Sequence, residues 1–415
     1  MSRPASLSQS PFALLAGIVA VVALLAWVGG WALPLVIFLI IVMVMGHEFG
    51  HFITAKRAGL LVTDFFVGFG PVIWSTTRGE TRYGVRALLL GGYVKVPGMT
   101  WGVPVDPEIE PRTYREASYP RKVIFASAGS FMHGLMALAL AWGALTFIGT
   151  PSANHIGVLS FSQWQGHKEN AAQLAGLKVG EQIVAIDGTK IKNATQLANI
   201  VHRSAGKRLT LLVENNGREL TLHATPVSGR DIKEAGATLG SGGYIGIDVG
   251  ELSVHESALA AVPSAFHEVG SIIAEAAHAL VHVFSPGEFS SLFHQVTSAK
   301  AATSAKNQAS RPVSIVGVVR VATQAANAGA MELIDILIAV NVFVGVLNML
   351  PMLPLDGGYV AVATYERLRS RRGRRYEADV NKLAPVIYAF MTVLLVLFAC
   401  TLYLDIAHPI TNPFG

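Results

Sequence analysis

Five apolar runs punctuate this chain, and the segments between them are rich in arginine, glycine or alternating residues. The runs extend roughly over Phe12 to Gly29, Leu33 to Arg57, Val123 to Ile148, Leu333 to Leu355 and Leu383 to Leu404. Each is near the ~20 residues a bilayer requires, so the pattern predicts a polytopic α-helical membrane protein with about five spans. Phe12 to Val28 follows a short segment bearing Arg3. No clean small-x-small cleavage pattern follows it, so it reads as a retained helix rather than a signal peptide.

Basic flanks set the expected orientation. Lys56 and Arg57 close the second run, and Arg112, Arg115, Arg121 and Lys122 precede the third. Arg367, Arg369, Arg371, Arg372, Arg374 and Arg375 separate the last two. The excess of Lys and Arg on cytoplasmic loops places all three groups inside. Five spans then put the N-terminus in the cytoplasm and the segment from about Gly149 to Met331 outside.

Leu60 to Met99 has strand-like alternation broken by glycines, as in Phe65 to Pro71, Tyr83 to Arg86 and Leu88 to Val96. It predicts β-hairpins dipping into the cytoplasmic half of the membrane, covered by protein or water. In the outer segment, Ala171 to Pro226 reads as a compact α/β domain. It has a helix over Thr195 to Ser204 and a hairpin joining Leu209–Glu214 to Arg218–Ala224 across Asn215, Asn216 and Gly217. Val262 to Phe284 is apolar but carries His267, Glu268, Glu275, His278 and His282, with His255 just upstream. It predicts an amphipathic surface helix with solvated histidines. Ser298 to Ser310 reads as a polar linker.

Composition agrees with a membrane protein: 52% of residues are hydrophobic, 14% are charged, and mean hydropathy is positive. The formal charge of +5 comes from arginines beside apolar runs, which argues against a nucleic-acid partner. Cys400, the single cysteine, excludes an intrachain disulfide and reads as a small buried hydrophobe.

The candidate chemistry lies inside the membrane pattern. The second run leads into His47-Glu48-Phe49-Gly50-His51. On a helix, residues four apart share a face, so His47 and His51 can grip one ion, for which zinc is the usual choice. Glu48 is then placed to take a proton from a metal-bound water. A second unusual stretch, Asn348-Met349-Leu350-Pro351-Met352-Leu353-Pro354-Leu355-Asp356-Gly357-Gly358, ends the fourth run. An aspartate there is costly unless paired. His51 and Asp356 fall near the cytoplasmic ends of their spans, so Asp356 is the candidate third ligand.

These motifs resemble the site-2 protease family of intramembrane zinc metalloproteases. The resemblance also rests on Phe66 to Pro71, Leu90-Gly91-Gly92-Tyr93-Val94, the block Leu174 to Gly188, and Arg311 to Gly317. It implies that the outer domain is a single PDZ-like domain, as in the actinobacterial branch. It also implies substrates that are transmembrane proteins, such as anti-sigma factors, cut after a first protease has trimmed their outer part. Two departures stand out: His133 where the family often has asparagine, and Tyr359 where it often has histidine. A zinc-bearing scaffold and a metal transporter are the competing readings. Glu48 argues against the first, and the clustering of polar residues at one depth against the second.

The expected organisation is therefore 1–58, two spans with the zinc motif; 59–122, the membrane-dipping β region; 123–150, the third span; and 151–253, the outer PDZ-like domain. Then come 254–330, an outer amphipathic helix and linker; 331–358, a span with the second metal motif; 359–382, a basic cytoplasmic loop; and 383–415, the last span and tail. A substrate helix hides its carbonyls in its own hydrogen bonds and must unwind before attack. The unwound stretch is expected to add as a strand along Gly91, Gly92, Tyr93 and Val94, with Asn348 clamping its backbone. The expected location is the inner membrane.

Overall fold

The computed structural model describes residues 11–99, 103–162, 169–215, 217–234, 237–238, 240–370 and 375–414. Arg3, residues 163–168, Asn216, Arg371, Arg372 and Arg374 lie outside the described residues. The chain forms two compact units, one of residues 1–141 and 265–415 and one of residues 142–264.

In the first unit, helices α1 (Pro11–Gly29) and α2 (Ala32–Arg57) are separated by a turn at Gly30. Helix α3 (Tyr119–Gly143) continues through a wider turn to Ile148. Among the described residues, four helical segments are long and apolar enough to cross a membrane: Ala32–Arg57, Tyr119–Ile148, Ala330–Asn348 and Val380–Ala407. Helix α1 contributes a shorter apolar stretch over Ala16–Gly29.

Strands β1 (Asp64–Arg78) and β2 (Thr81–Lys95) form one long hairpin rather than several short ones. It folds back on itself. Phe65 pairs with both Tyr83 and Val94, and Phe66 with both Gly84 and Tyr93. The first half of β1 is thus flanked on both sides by β2. The second half of β2 has β1 on one side and no further strand among the described residues. A small core of Ala55, Leu60, Val62, Val96, Tyr114 and Phe125 ties the end of α2 to the start of the hairpin and to α3.

The second unit centres on an antiparallel sheet. Its strands are β3 (Thr150–Phe161), β4 (Gln182–Ile186), β5 (Thr189–Lys190), β6 (Leu209–Asn215), β7 (Arg218–Ala224) and β12 (Ile247–Val254). The order is β12-β3-β4-β6-β7, with β5 paired to β4. Four two-residue strands, β8 (Val227–Ser228), β9 (Lys233–Glu234), β10 (Ala237–Thr238) and β11 (Gly243–Tyr244), sit between β7 and β12. Helices α4 (Ala171–Leu174) and α5 (Ala194–His202) start at Asn170 and Asn193, whose side chains accept from backbone N–H groups three residues on. Ile156, Val158, Ile183, Ile186, Leu197, Leu211 and Val213 form the core, and period-two alternation accounts for the burial of Leu209, Leu211 and Val213 along β6.

The first unit resumes within α6 (Ala261–Val283) and continues into α7 (Pro286–Thr297). This pair is bent by 73° and is together long and apolar enough for a broken span or a re-entrant loop, which the expected surface helix did not include. The expected linker is not irregular either. It holds α8 (Ala299–Ala302) and α9 (Ala305–Ser310), whose first turns are capped by Ser298 and Ser304. Helix α10 (Ile315–Ala328) follows and packs on α2 and on α11 (Ala330–Asn348). The fourth apolar run was expected to reach Leu355 as one span, but α11 ends at Asn348, and Pro351 and Pro354 keep the next residues out of a helix. The expected basic loop begins instead with α12 (Asp356–Arg369), which leads towards α13 (Ala384–Ala407). Arg311 and Asp405, both buried, pin α10 to α13: Arg311 Nη2 donates to Asp405 Oδ1 at 3.0 Å, and the Ser314 N–H donates to Oδ2 at 2.7 Å.

Candidate metal centre

His47 and His51 lie on the buried face of α2 because four residues make about one helical turn. Close helix approach brings α3 against that face. A Cβ at Gly50 would lie 2.6 Å from the Ala128 carbonyl oxygen, and one at Gly129 would overlap the His47 ring. Small residues at these points let the two backbones nearly touch.

Asp356 arrives from the other side as the first residue of α12, not the last of a span. A Cβ at Gly357 would overlap the Met349 carbonyl, and one at Gly358 would sit 2.5 Å from Leu353 N. The two glycines therefore let the 349–355 loop fold tightly over the helix start and aim the carboxylate inward. Lower on α12, Lys122 Nζ donates to Glu366 Oε2 at 2.8 Å, and Tyr119 Oη lies 3.4 Å from Thr364 Oγ1. These contacts fasten α12 to α3.

Three atoms converge. His51 Nε2 is 3.2 Å from His47 Nε2, and Asp356 Oδ2 is 3.5 Å from His47 Nε2 and 3.3 Å from His51 Nε2. Ligands on a tetrahedral zinc with bonds of about 2.0–2.1 Å stand about 3.3 Å apart, so the triangle matches such an ion. Asp356 Oδ2 is buried without a hydrogen-bond partner, an arrangement costly for a carboxylate unless a cation completes it. His51 Nδ1 donates to the Phe125 carbonyl at 2.8 Å, which leaves Nε2 as the lone-pair nitrogen. The three side chains are the metal-competent cluster among the described residues.

Glu48 does not join the triangle. The second half of β2 passes beside it: a Cβ at Gly92 would lie 3.0 Å from Glu48 Cγ, and the Val94 backbone faces the carboxylate. Gly91, Gly92, Tyr93 and Val94 thus run as a free strand edge past this acid. Asn348 is half-buried at the end of α11, separated from Asp356 by an irregular loop rather than by helical turns. The fully buried asparagine on α11 is Asn341, which sequence reasoning missed. His133 Nδ1 lies 2.9 Å from Asn341 Oδ1, and the His133 ring is 5.1 Å from that of His47. The available signal was a lone amide in the apolar stretch Leu337 to Val346.

The profile of the family described as Peptidase family M50 matches residues 35–395. The chain belongs to peptidase family M50. Curated relatives agree. The zinc metalloprotease Rip1 of Mycobacterium tuberculosis is 31% identical over 399 residues, covering 89% of this chain and 96% of that protein. Rip1 of Mycolicibacterium smegmatis is 28% identical over 401 residues, covering 90% and 96%. This M50 peptidase is a zinc-dependent metalloendopeptidase, and its long apolar helices make it a multi-pass membrane protein. In the M50 chain the donor set of two imidazoles and one carboxylate suits catalytic zinc, because it leaves one coordination position for water or substrate.

Proposed function

We propose that His47, His51 and Asp356 hold the zinc and that Glu48 is the general base and acid of intramembrane peptide hydrolysis. The observation that carries this reading is Asp356 Oδ2, buried without a hydrogen-bond partner 3.5 and 3.3 Å from two imidazole nitrogens. Zinc supplies Lewis acidity toward the scissile carbonyl and its attacking water. Glu48 takes the proton of that water and hands it to the leaving amine. The unwound substrate lies as a strand along Gly91 to Val94, a free edge that runs beside Glu48. Asn348 holds the substrate backbone with its amide.

The substrates proposed are transmembrane segments of single-span proteins of the anti-sigma-factor kind, already shortened on the outer side. The orientation proposed has the N-terminus and the basic segments in the cytoplasm and the 151–253 domain outside, where it acts as a PDZ-like filter.

Zinc content and cleavage of a tethered single-span substrate, measured on the same purified variants, test the reading. Glu48→Gln keeps its zinc and loses about 10²–10⁴-fold in rate. Asp356→Ala loses zinc affinity because one ligand of three is gone. Wild-type turnover by Glu48→Gln, or wild-type affinity in Asp356→Ala, would remove that residue from its role.

A further inference from the structure

A groove of about 430 Å³ runs along α12 from Gly357 to Leu368. One wall is the turn after α11, at Met349 and Pro351, and the other is the face of α12 carrying Gly357, Val360, Ala361, Thr364, Tyr365 and Leu368. The volume falls in the ~300–1,000 Å³ range of ligand pockets. Its lining is apolar apart from the Thr364 and Tyr365 hydroxyls. Towards its far end the apolar side chains stay uncovered, with Tyr365 47% and Leu368 71% exposed.

Arg369 stands at that end. Its guanidinium lies 5.9 Å from the Tyr365 ring centre and 5.3 Å from that of Tyr376. Two rings thus steady it through their π faces. No carboxylate pairs with it among the described residues. Glu366 is taken by Lys122 and by the Ala378 N–H, and Glu377 faces Arg375. The planar fork is therefore steadied while its donors stay open, the state that suits bidentate binding of a phosphate oxygen pair.

We propose that this groove is a binding site for an anionic phospholipid, with an acyl chain along α12 and the phosphate on Arg369. Charge selects this occupant. Six arginines fall between positions 367 and 375, which attracts an anionic headgroup. The other candidate, the flank of a substrate span, is itself Lys- and Arg-rich on the cytoplasmic side and would be repelled. The placement also fits, because the groove starts directly after α11, a helix apolar and long enough to cross the membrane. Lipid preference and zinc content are read independently, so loss of the first with zinc retained is distinguishable from failure of the protease reading.

The test is native mass spectrometry of the full-length, zinc-loaded protein in mixed micelles of phosphatidylglycerol and phosphatidylcholine. The wild type retains phosphatidylglycerol about fivefold over phosphatidylcholine, the preference expected of one well-placed arginine. Arg369→Gln abolishes that preference at unchanged zinc content, as does Ala361→Trp, which fills the groove. Arg371→Gln, which removes the same charge elsewhere in the basic stretch, keeps it. Soluble glycerol 3-phosphate in excess does not displace the lipid, because it has no acyl chain. Equal losses in Arg369→Gln and Arg371→Gln would reduce the effect to a diffuse basic field and overturn the site. Displacement by glycerol 3-phosphate, or by a basic-flanked span peptide, would overturn it as well.

Discussion

Gly129 has no side chain to contribute, yet the position of His47 depends on it. The His47 ring occupies the space a Cβ at residue 129 would need, and the ring is hemmed in by His51 and His133 on its other sides. Gly129→Ala must therefore push the imidazole away from the point where His51 Nε2 and Asp356 Oδ2 converge. Displacing a ligand without removing it resembles loss of an orienting partner, which costs about 10–100-fold in metal affinity. Competitive zinc titration against a chromophoric chelator reads this directly. Unchanged affinity would mean that α3 yields rather than the histidine.

At the scale of elements, α12 and the hairpin are the parts whose attachment matters to the site. Helix α12 begins at Asp356 and is held to α3 ten residues later by Lys122 and Glu366, whose side chains are only 8% and 13% exposed. Leaving one such charge unpaired costs about 3–5 kcal/mol. Lys122→Glu or Glu366→Lys alone is expected to lower zinc affinity and thermal stability together. The double exchange restores much of both, and failure of that rescue would show that the pair does not hold α12.

The hairpin is fastened at its tip. Glu80 accepts from Arg112 at 2.8 and 2.9 Å and from Lys56 Nζ at 2.7 Å. The Arg112 guanidinium, then Lys56, pull the carboxyl down to about 2 from the ordinary glutamate range. The folded value is the lower one, so the contribution is complete above the ordinary range and fades as pH falls through about 2. The group is partly exposed, so it is worth about 0.2–1 kcal/mol. Hydrogen exchange in β1 and β2 should thus be insensitive to protonation of Glu80 between pH 5 and pH 8, and Glu80→Gln should speed it modestly at neutral pH. A pH-dependent exchange rate in that window that Glu80→Gln removes would contradict the assignment.

At the scale of the molecule, the sheet domain is built so that it can be removed cleanly. Its first and last strands pair, and Thr150 is the register partner of Val254. Antiparallel partners stand about 5 Å apart, so a short Gly-Ser linker can replace residues 151–253. A cut at Ile156 to Val227 would instead split β3 and strip β12 of its partners from Ile247 to Glu251. If the domain acts as a filter, the linker variant cleaves an untrimmed single-span substrate that the full chain leaves intact. If trimmed substrate also escapes cleavage while zinc content is normal, the domain captures substrate.

Much of this protein is written in local pattern. Apolar runs near the bilayer length mark helices, because a lone backbone segment in lipid must satisfy its own hydrogen bonds. The four-residue spacing of His47 and His51 places both on one face through helical periodicity alone. Period-two alternation places Leu209, Leu211 and Val213 in the sheet core. None of this periodicity says where Asp356 lies, since α11 stops at Asn348 and a loop intervenes. The meeting of Asp356 with the two histidines depends on Gly357 and Gly358 folding that loop down and on Gly129 admitting His47. The doubling of the β hairpin and the Asn341–His133 contact likewise join residues far apart in the chain. Periodicity acts over a few residues, whereas close packing between distant segments is decided by which surfaces can approach, and only the tertiary structure settles that.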